Sequence, residues 1–145
     1  MIEGVIVEKL KTLKDERGRV MRMLRCDWPH FTRFGEIYFS VVNAGVVKAW
    51  KKHLKMTQNF AVPVGKITLA IYDDREKSPS RGECVELEIG EENYCLVQIP
   101  ALLWYGFKGT AAIPSLIANC ADIPHDPDEI IRIEPSDKRV PYTWK

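Results

Sequence analysis

The sequence predicts an all-β barrel or sandwich, and three observations carry that prediction. Short runs of β-branched and aromatic residues recur along the 145 residues, broken by Gly, Pro and Asn at turn positions. No long segment has the 3.6-residue period of an amphipathic helix. Finally, a glycine-bounded stretch, Gly45 to Gly65, runs straight into a β-branched strand at Lys66 to Asp73, and the rest of the chain is arranged around it. The length suits a single domain, residues 1–145, with N-terminal strands, a short C-terminal tail and a buried core.

The elements follow in order. Ile2 to Leu13 begins as a strand through Ile2, Val5, Ile6 and Val7, and Asp15-Glu16-Arg17-Gly18 supplies a turn in which Gly18 is free to take positive φ. Arg19 to Leu24 alternates basic and apolar residues. Asp27-Trp28-Pro29-His30 breaks regularity. Gly35 to Val42 is strand-like, and Asn43-Ala44-Gly45 turns it into a central strand, Val46 to His53. After the strand ending at Asp73, Asp74 to Gly82 is a solvated loop. Cys84 to Ile89 then alternates with period two, Val85, Leu87 and Ile89 on one face and Cys84, Glu86 and Glu88 on the other. Tyr94 to Ile99, Leu102 to Lys108 and Ser115 to Cys120 complete the strand set. In the proline-punctuated tail, Ile130, Ile131 and Ile133 form a last short strand or a turn.

Composition excludes several classes. Hydrophobic residues make up 46% and charged residues 28%, and the net charge is +1. That balance offers no field for nucleic acid or an anionic membrane. The N-terminus is too short and too charged for a signal peptide, and no apolar run reaches membrane-spanning length. Cys26, Cys84, Cys95 and Cys120 lie far apart with no CxxC pair, which reads as reduced thiols in a cytoplasmic protein.

From Gly45 the chain counts five residues to Lys51, skips one to His53, then four to Gln58 and six to Gly65. This spacing resembles the first motif of the cupin barrels, Gly, five residues, His-x-His, four residues, Glu, six residues, Gly. The resemblance implies a double-stranded β-helix, or jelly roll. In metal-binding members those positions supply imidazoles and a carboxylate, ligands that suit first-row divalent metals. A lysine ammonium has no lone pair to offer, and the second motif, around Gln98 to Phe107, has Tyr105 where its His would fall. Neither a metal nor another cofactor is expected.

A closer resemblance covers nearly the whole chain. Asp15-Glu16-Arg17-Gly18-Arg19-Val20, Gly45 to Lys51, Val64-Gly65-Lys66 through Asp73 to Ser78-Pro79-Ser80, and Ile99-Pro100 to Gly106-Phe107 are similar in order to motifs of the dTDP-4-keto-6-deoxyhexose 3,5-epimerases, enzymes of dTDP-rhamnose synthesis. Cys120 to Pro127 and Glu134 to Trp144 follow that family's tail. The resemblance implies a homodimer and a dTDP-linked sugar ligand, with Arg17 and Lys48 at nucleotide-binding arginine positions. The reactive positions depart. The family's catalytic His falls on Lys51, its Lys near Gln58, its Tyr on Ala118 and its second His on Tyr105, and its C-terminal Asp, which orients the catalytic His, has no counterpart. The dTDP-4-keto-6-deoxyglucose ketoisomerases are similar at His53 and Gln58, again with Lys51 in place of a His.

Epimerisation beside a ketone needs a base, a cation or donor for the enolate oxygen, and an acid on the opposite face. Lys51 and His53 share one face of a strand because side chains alternate, and an ammonium beside an imidazole keeps the imidazole neutral and basic. The expected set is His53 as base, Lys51 as enolate stabiliser and Tyr105 as proton donor. Arg17, Lys48, Gln58, Trp50, Asp73 and Trp104 are expected to bind substrate, the tryptophans by stacking at a basic, aromatic-rimmed mouth. Each has a plain structural reading as well: a hydrogen-bonded strand-end His53, a solvated cluster of Lys48, Lys51, Lys52 and Lys55, a core Tyr105, a surface turn at Arg17. Strict alternation sets Lys48 on the face opposite Lys51, a conflict that a β-bulge or subunit packing would have to resolve. The function read from these residues is a sugar-nucleotide epimerase or isomerase with a rearranged proton-transfer site. The alternative is a catalytically silent cupin that binds a nucleotide sugar or serves a structural role.

Overall fold

The structure is a computed structural model describing residues 1–145. Its strands are β1 (Ile6–Lys9), β2 (Thr12–Asp15), β3 (Gly18–Met21), β4 (Glu36–Val42), β5 (Val47–His53), β6 (Gln58–Val64), β7 (Lys66–Tyr72), β8 (Cys84–Gly90), β9 (Cys95–Ile99), β10 (Trp104–Gly109), β11 (Ser115–Ala121) and β12 (Ile130–Arg132). One 3-10 turn, Pro127–Glu129, precedes β12. Two antiparallel five-stranded sheets face each other, ordered β1-β9-β6-β11-β4 and β12-β5-β10-β7-β8, and β2 and β3 form a separate hairpin. This is the all-β jelly roll of the cupins. No helix is long and apolar enough to cross a membrane.

The sheets are held apart by inward-facing side chains. Val42, Phe60, Ile67, Leu69, Ile71, Val97, Ile99 and Ile117 are essentially removed from solvent, and each such side chain contributes about 1.5–3 kcal/mol of transfer free energy. The β-branched strand β7 and the alternating strand β8 pair in full register from Lys66↔Gly90 to Tyr72↔Cys84. Gly65 makes the tight corner between β6 and β7 with φ of 84°. A Cβ there would lie 2.3 Å from Ser115 Oγ, so glycine is required by space as well as by backbone.

Two segments differ from expectation. The strand expected from Ile2 starts only at Ile6, and after Lys9 the chain breaks at Leu10-Lys11 so that β2 can pair with β3. Gln58–Val64 is a full strand in the middle of the first sheet, between β9 and β11. Its Gln58, Asn59 and Pro63 hide the apolar run that would have marked it.

The tail closes the outer face of the second sheet. Val140, Tyr142 and Trp144 pack over Trp50, Ala70 and Trp104 in a second apolar cluster. Trp144 lies 5.1 Å from Trp50 between ring centroids, and Tyr142 meets Trp50 edge-on at 5.7 Å. Tyr142 Oη also donates to Glu86 Oε2 at 2.6 Å, which ties the tail to β8.

Candidate active site

The chemistry-bearing side chains converge on a cavity of about 340 Å³ between the sheets, lined by Glu36, Tyr38, Lys51, His53, Met56, His125, Ile130 and Arg132. β4 of the first sheet supplies Glu36 and Tyr38. The opposite wall comes from β5, with Lys51 and His53, and from β12, with Ile130 and Arg132.

His53 is buried and both its ring nitrogens are engaged. Nδ1 meets Glu129 Oε1, and Nε2 lies 3.2 Å from Tyr105 Oη. Glu129 is held in turn: Oε2 accepts the backbone N–H groups of Leu54, Lys55 and Met56 at 3.1, 3.1 and 3.2 Å. Burial raises the Glu129 pKa, but the bonds from His53 and from those amides outweigh it and hold the carboxyl below its ordinary range. Burial is also the main influence on His53, lowering its pKa. The Glu129 carboxylate opposes that shift, and Lys51 and Arg132 add to it. An ionised Glu129 accepts the Nδ1 proton, which leaves Nε2 as the basic nitrogen.

A second group of bonds lies on the first sheet. Asn59 N–H donates to Asn119 Oδ1 at 3.1 Å, which fixes that amide's orientation. Asn119 Nδ2 therefore donates to Gln58 Oε1 at 3.1 Å and to Tyr38 Oη at 2.8 Å. Glu129, His53 and Tyr105 thus form one linked group at the second sheet, and Gln58, Asn119 and Tyr38 another on the first.

Lys51 pairs with Tyr105 in the register of β5 on β10 and opens into the cavity. Desolvation lowers its pKa, and Arg132 and Lys48 lower it further. The conflict over Lys48 is resolved by a bulge. The register slips between Tyr105 and Gly106, which face Lys51 and Ala49, so Trp50 is left over. Lys48 is thereby returned toward the Lys51 side, where its Nζ donates to Val41 O at 2.7 Å and Ser40 Oγ at 3.3 Å. Together with Lys51, Arg132 and Arg139 it lines a neighbouring groove that also holds Glu134 and Asp137.

Other expected site residues lie elsewhere. Tyr105 is 3% exposed and does not line the cavity; its hydroxyl is engaged with His53 Nε2. Trp50 and Trp104 face outward under the tail. Trp50 Nε1 donates to Pro135 O at 3.2 Å, and Trp104 donates to Asp74 Oδ2 at 2.8 Å with Lys52 Nζ 4.6 Å above its ring. Neither ring is available to stack on a ligand at the cavity mouth. Asp73 is fully buried and its carboxylate is saturated by Arg75, Ser78 and Ser80 within the β7–β8 loop. Arg17 sits at the exposed tip of the β2–β3 hairpin, paired with Asp15 at 2.6 Å, and does not reach the cavity within one chain. Gln58 is buried beneath the cavity as a link in the network. No group of three or more His, Cys, Asp and Glu side chains comes together in a way that can hold a metal ion.

The tail acid expected to be missing is supplied by Glu129, and the sequence carried one faint signal for it. Asp126-Pro127-Asp128-Glu129 has the cap, proline and acidic residues of a helix start, and Asp126 Oδ1 accepts Asp128 N–H at 3.0 Å. Tyr38 was likewise unmarked, reading as one more aromatic in a strand. The register of β11 on β4 sets Asn119 opposite Tyr38 and Ala118 opposite Phe39.

A two-sheet jelly roll with a buried carboxylate–imidazole pair at the edge of a basic cavity defines a protein of the sugar-nucleotide epimerase and isomerase class. The family model for dTDP-4-dehydrorhamnose 3,5-epimerase matches residues 1–145, and the chain belongs to that family. It is 40% identical over 143 residues to the probable low-salt glycan biosynthesis epimerase Agl13 of Haloferax volcanii, covering 97% of this chain and 88% of that protein. It is 32% identical over 142 residues to the spore coat polysaccharide biosynthesis protein SpsL of Bacillus subtilis, covering 98% and 91%. Among solved structures, a dTDP sugar isomerase from Desulfovibrio desulfuricans superposes with a TM-score of 0.96 at 47% identity, over 99% of this chain and 92% of that one.

Proposed function

We propose that this protein moves a proton at a carbon beside the ketone of a dTDP-linked 4-keto-6-deoxyhexose, in the cavity between the two sheets. The observation that carries the proposal is the Glu129–His53 pair. A buried carboxylate holds a neutral imidazole on the cavity wall, its basic Nε2 covered by the Tyr105 hydroxyl, and the Lys51 ammonium stands on the same wall. His53 Nε2 exchanges its bond with Tyr105 for the carbon-bound proton, and Lys51 stabilises the enolate oxygen. Lys48 and Arg132, along the adjoining groove, receive the diphosphate. Family membership and the 3,5-epimerase model over the whole chain support this substrate class. A structure of a family member from Legionella pneumophila, 22% identical, contains dTDP-4-keto-L-rhamnose.

The working state is a homodimer. Ile37, Phe39 and Val41 project from the outer face of edge strand β4 and are 50%, 61% and 50% exposed, a row of apolar side chains suited to a second copy. Cytoplasmic residence fits the four free cysteines. Titration of the protein with dTDP and UDP, followed by incubation with dTDP-4-keto-6-deoxyglucose, tests the proposal. Selective dTDP binding and a change in configuration at C3 or C5 are expected. Absence of nucleotide binding would overturn the substrate class. Sedimentation at micromolar concentration tests the dimer, with Phe39→Glu expected to give monomers.

A further inference from the structure

Tyr105 is buried on His53 Nε2 and does not line the cavity, so the proton that completes an epimerisation has to come from another group. We infer that Tyr38 is that group, delivering a proton to the substrate carbon from the face opposite His53. This rests on the proposed epimerase reading and assigns a residue to its second half.

The geometry supplies four reasons. First, Tyr38 and His53 line the same cavity from different sheets, β4 and β5. Inversion at carbon requires removal of a proton on one face and delivery on the other. Second, the direction of the Tyr38 hydrogen bond is determined. Asn119 Oδ1 is occupied by Asn59 N–H, so Asn119 presents an N–H to Tyr38 Oη. The phenol oxygen accepts, and its own hydrogen has no acceptor in the chain and is left for the cavity. Third, the phenol remains protonated: burial raises its pKa, more than the Asn119 bond lowers it. Fourth, the other polar residue on that wall is Glu36, two positions earlier on the same strand face, and a carboxylate is an acceptor only.

The step balances without an added reactant. His53 Nε2 takes the proton from the carbon, and the C–H electron pair becomes the enolate. The enolate carbon then takes the hydrogen of the Tyr38 hydroxyl on the other face, the carbonyl reforms, and Tyr38 is left as a phenolate. The Asn119 N–H, already directed at Oη, stabilises that charge. Solvent in the cavity returns a proton to Tyr38 and removes one from His53.

Tyr38→Phe removes one oxygen from a partly exposed ring and leaves Asn119 its bond to Gln58, so the fold is preserved. The experiment compares wild type and Tyr38→Phe on dTDP-4-keto-6-deoxyglucose in D₂O, reading by NMR both deuterium uptake and configuration at the exchanging carbon, with dTDP affinity as a control. We expect Tyr38→Phe to bind dTDP as wild type does and to keep washing deuterium into the substrate. Inversion should fall by about 10²- to 10⁴-fold, the size of a lost general acid. Inversion at the wild-type rate would overturn the assignment to Tyr38 and leave the epimerase reading intact. Equal loss of exchange and inversion would also overturn it, because the phenol would then serve binding or the first proton transfer. A wild-type protein that binds dTDP but neither exchanges nor inverts would overturn both readings.

Discussion

The carboxylate of Glu129 meets Nδ1 of His53 across 76 residues of sequence, and both side chains are almost wholly buried. The remaining oxygen of Glu129 closes the loop after β5 by collecting three backbone amides. One residue therefore both positions the imidazole and staples the loop. Glu129→Ala leaves those amides and His53 without partners and should cost about 3–5 kcal/mol, the usual loss when a buried pair is broken. Glu129→Gln retains the size and one acceptor. It should cost less stability but still reduce turnover by about 10²-fold or more. Urea midpoints and turnover on the two variants separate the roles.

The pH dependence has a definite sign. His53 has its pKa held below the ordinary 6.5, chiefly by burial. Between that lowered value and 6.5 the unfolded chain binds more protons than the native one, so stability falls as pH drops below 6.5. Glu129, lowered from 4.5, adds a loss of the same sign at more acid pH. Thermal melts should be flat with respect to these two groups above pH 6.5 and decline below it. The decline between 6.5 and 4.5 should be smaller in His53→Asn. The acid limb of kcat/KM should likewise lie below 6.5, because His53 keeps its basic form there.

Lys51 is a half-buried ammonium without a carboxylate partner. Lys51→Met removes a desolvated, unpaired charge, and the fold should be unaffected or slightly more stable. Turnover should fall by about 10²- to 10⁴-fold if the ammonium holds the developing enolate. Chemical denaturation alongside progress curves checks both halves.

Asp73 is a structural anchor. Asp73→Asn weakens the bonds to Arg75, Ser78 and Ser80 in the β7–β8 loop, at a cost of about 1–3 kcal/mol. It should leave dTDP affinity unchanged in calorimetric titration.

Much of this was legible in the chain. The β-branched run Lys66 to Asp73 and the period-two alternation of Cys84 to Ile89 marked two strands, which the fold pairs, and alternation put Lys51 and His53 on one face. The glycine frame from Gly45 to Gly65 located the cavity strand. What alternation misses is a change of face. The bulge at Trp50 displaces Lys48 by a single residue, and nothing local in Lys48-Ala49-Trp50 announces it. The tryptophans looked like a ligand rim because the path of the tail, which brings Val140, Tyr142 and Trp144 onto them, is a long-range packing result. Glu129 was hidden for the same reason: its partner is set by where a three-residue turn docks, far from His53 in sequence.

The most direct test of a proton-transfer cavity is deuterium uptake. Protein incubated with dTDP-4-keto-6-deoxyglucose in D₂O is followed by NMR at the carbons flanking the ketone, with wild type and His53→Asn matched for dTDP binding. We predict deuterium at C3 or C5 with wild type and none above background with His53→Asn. Exchange that persists undiminished in His53→Asn, or its absence in a wild-type protein that binds dTDP, would contradict a proton-transfer role for the cavity.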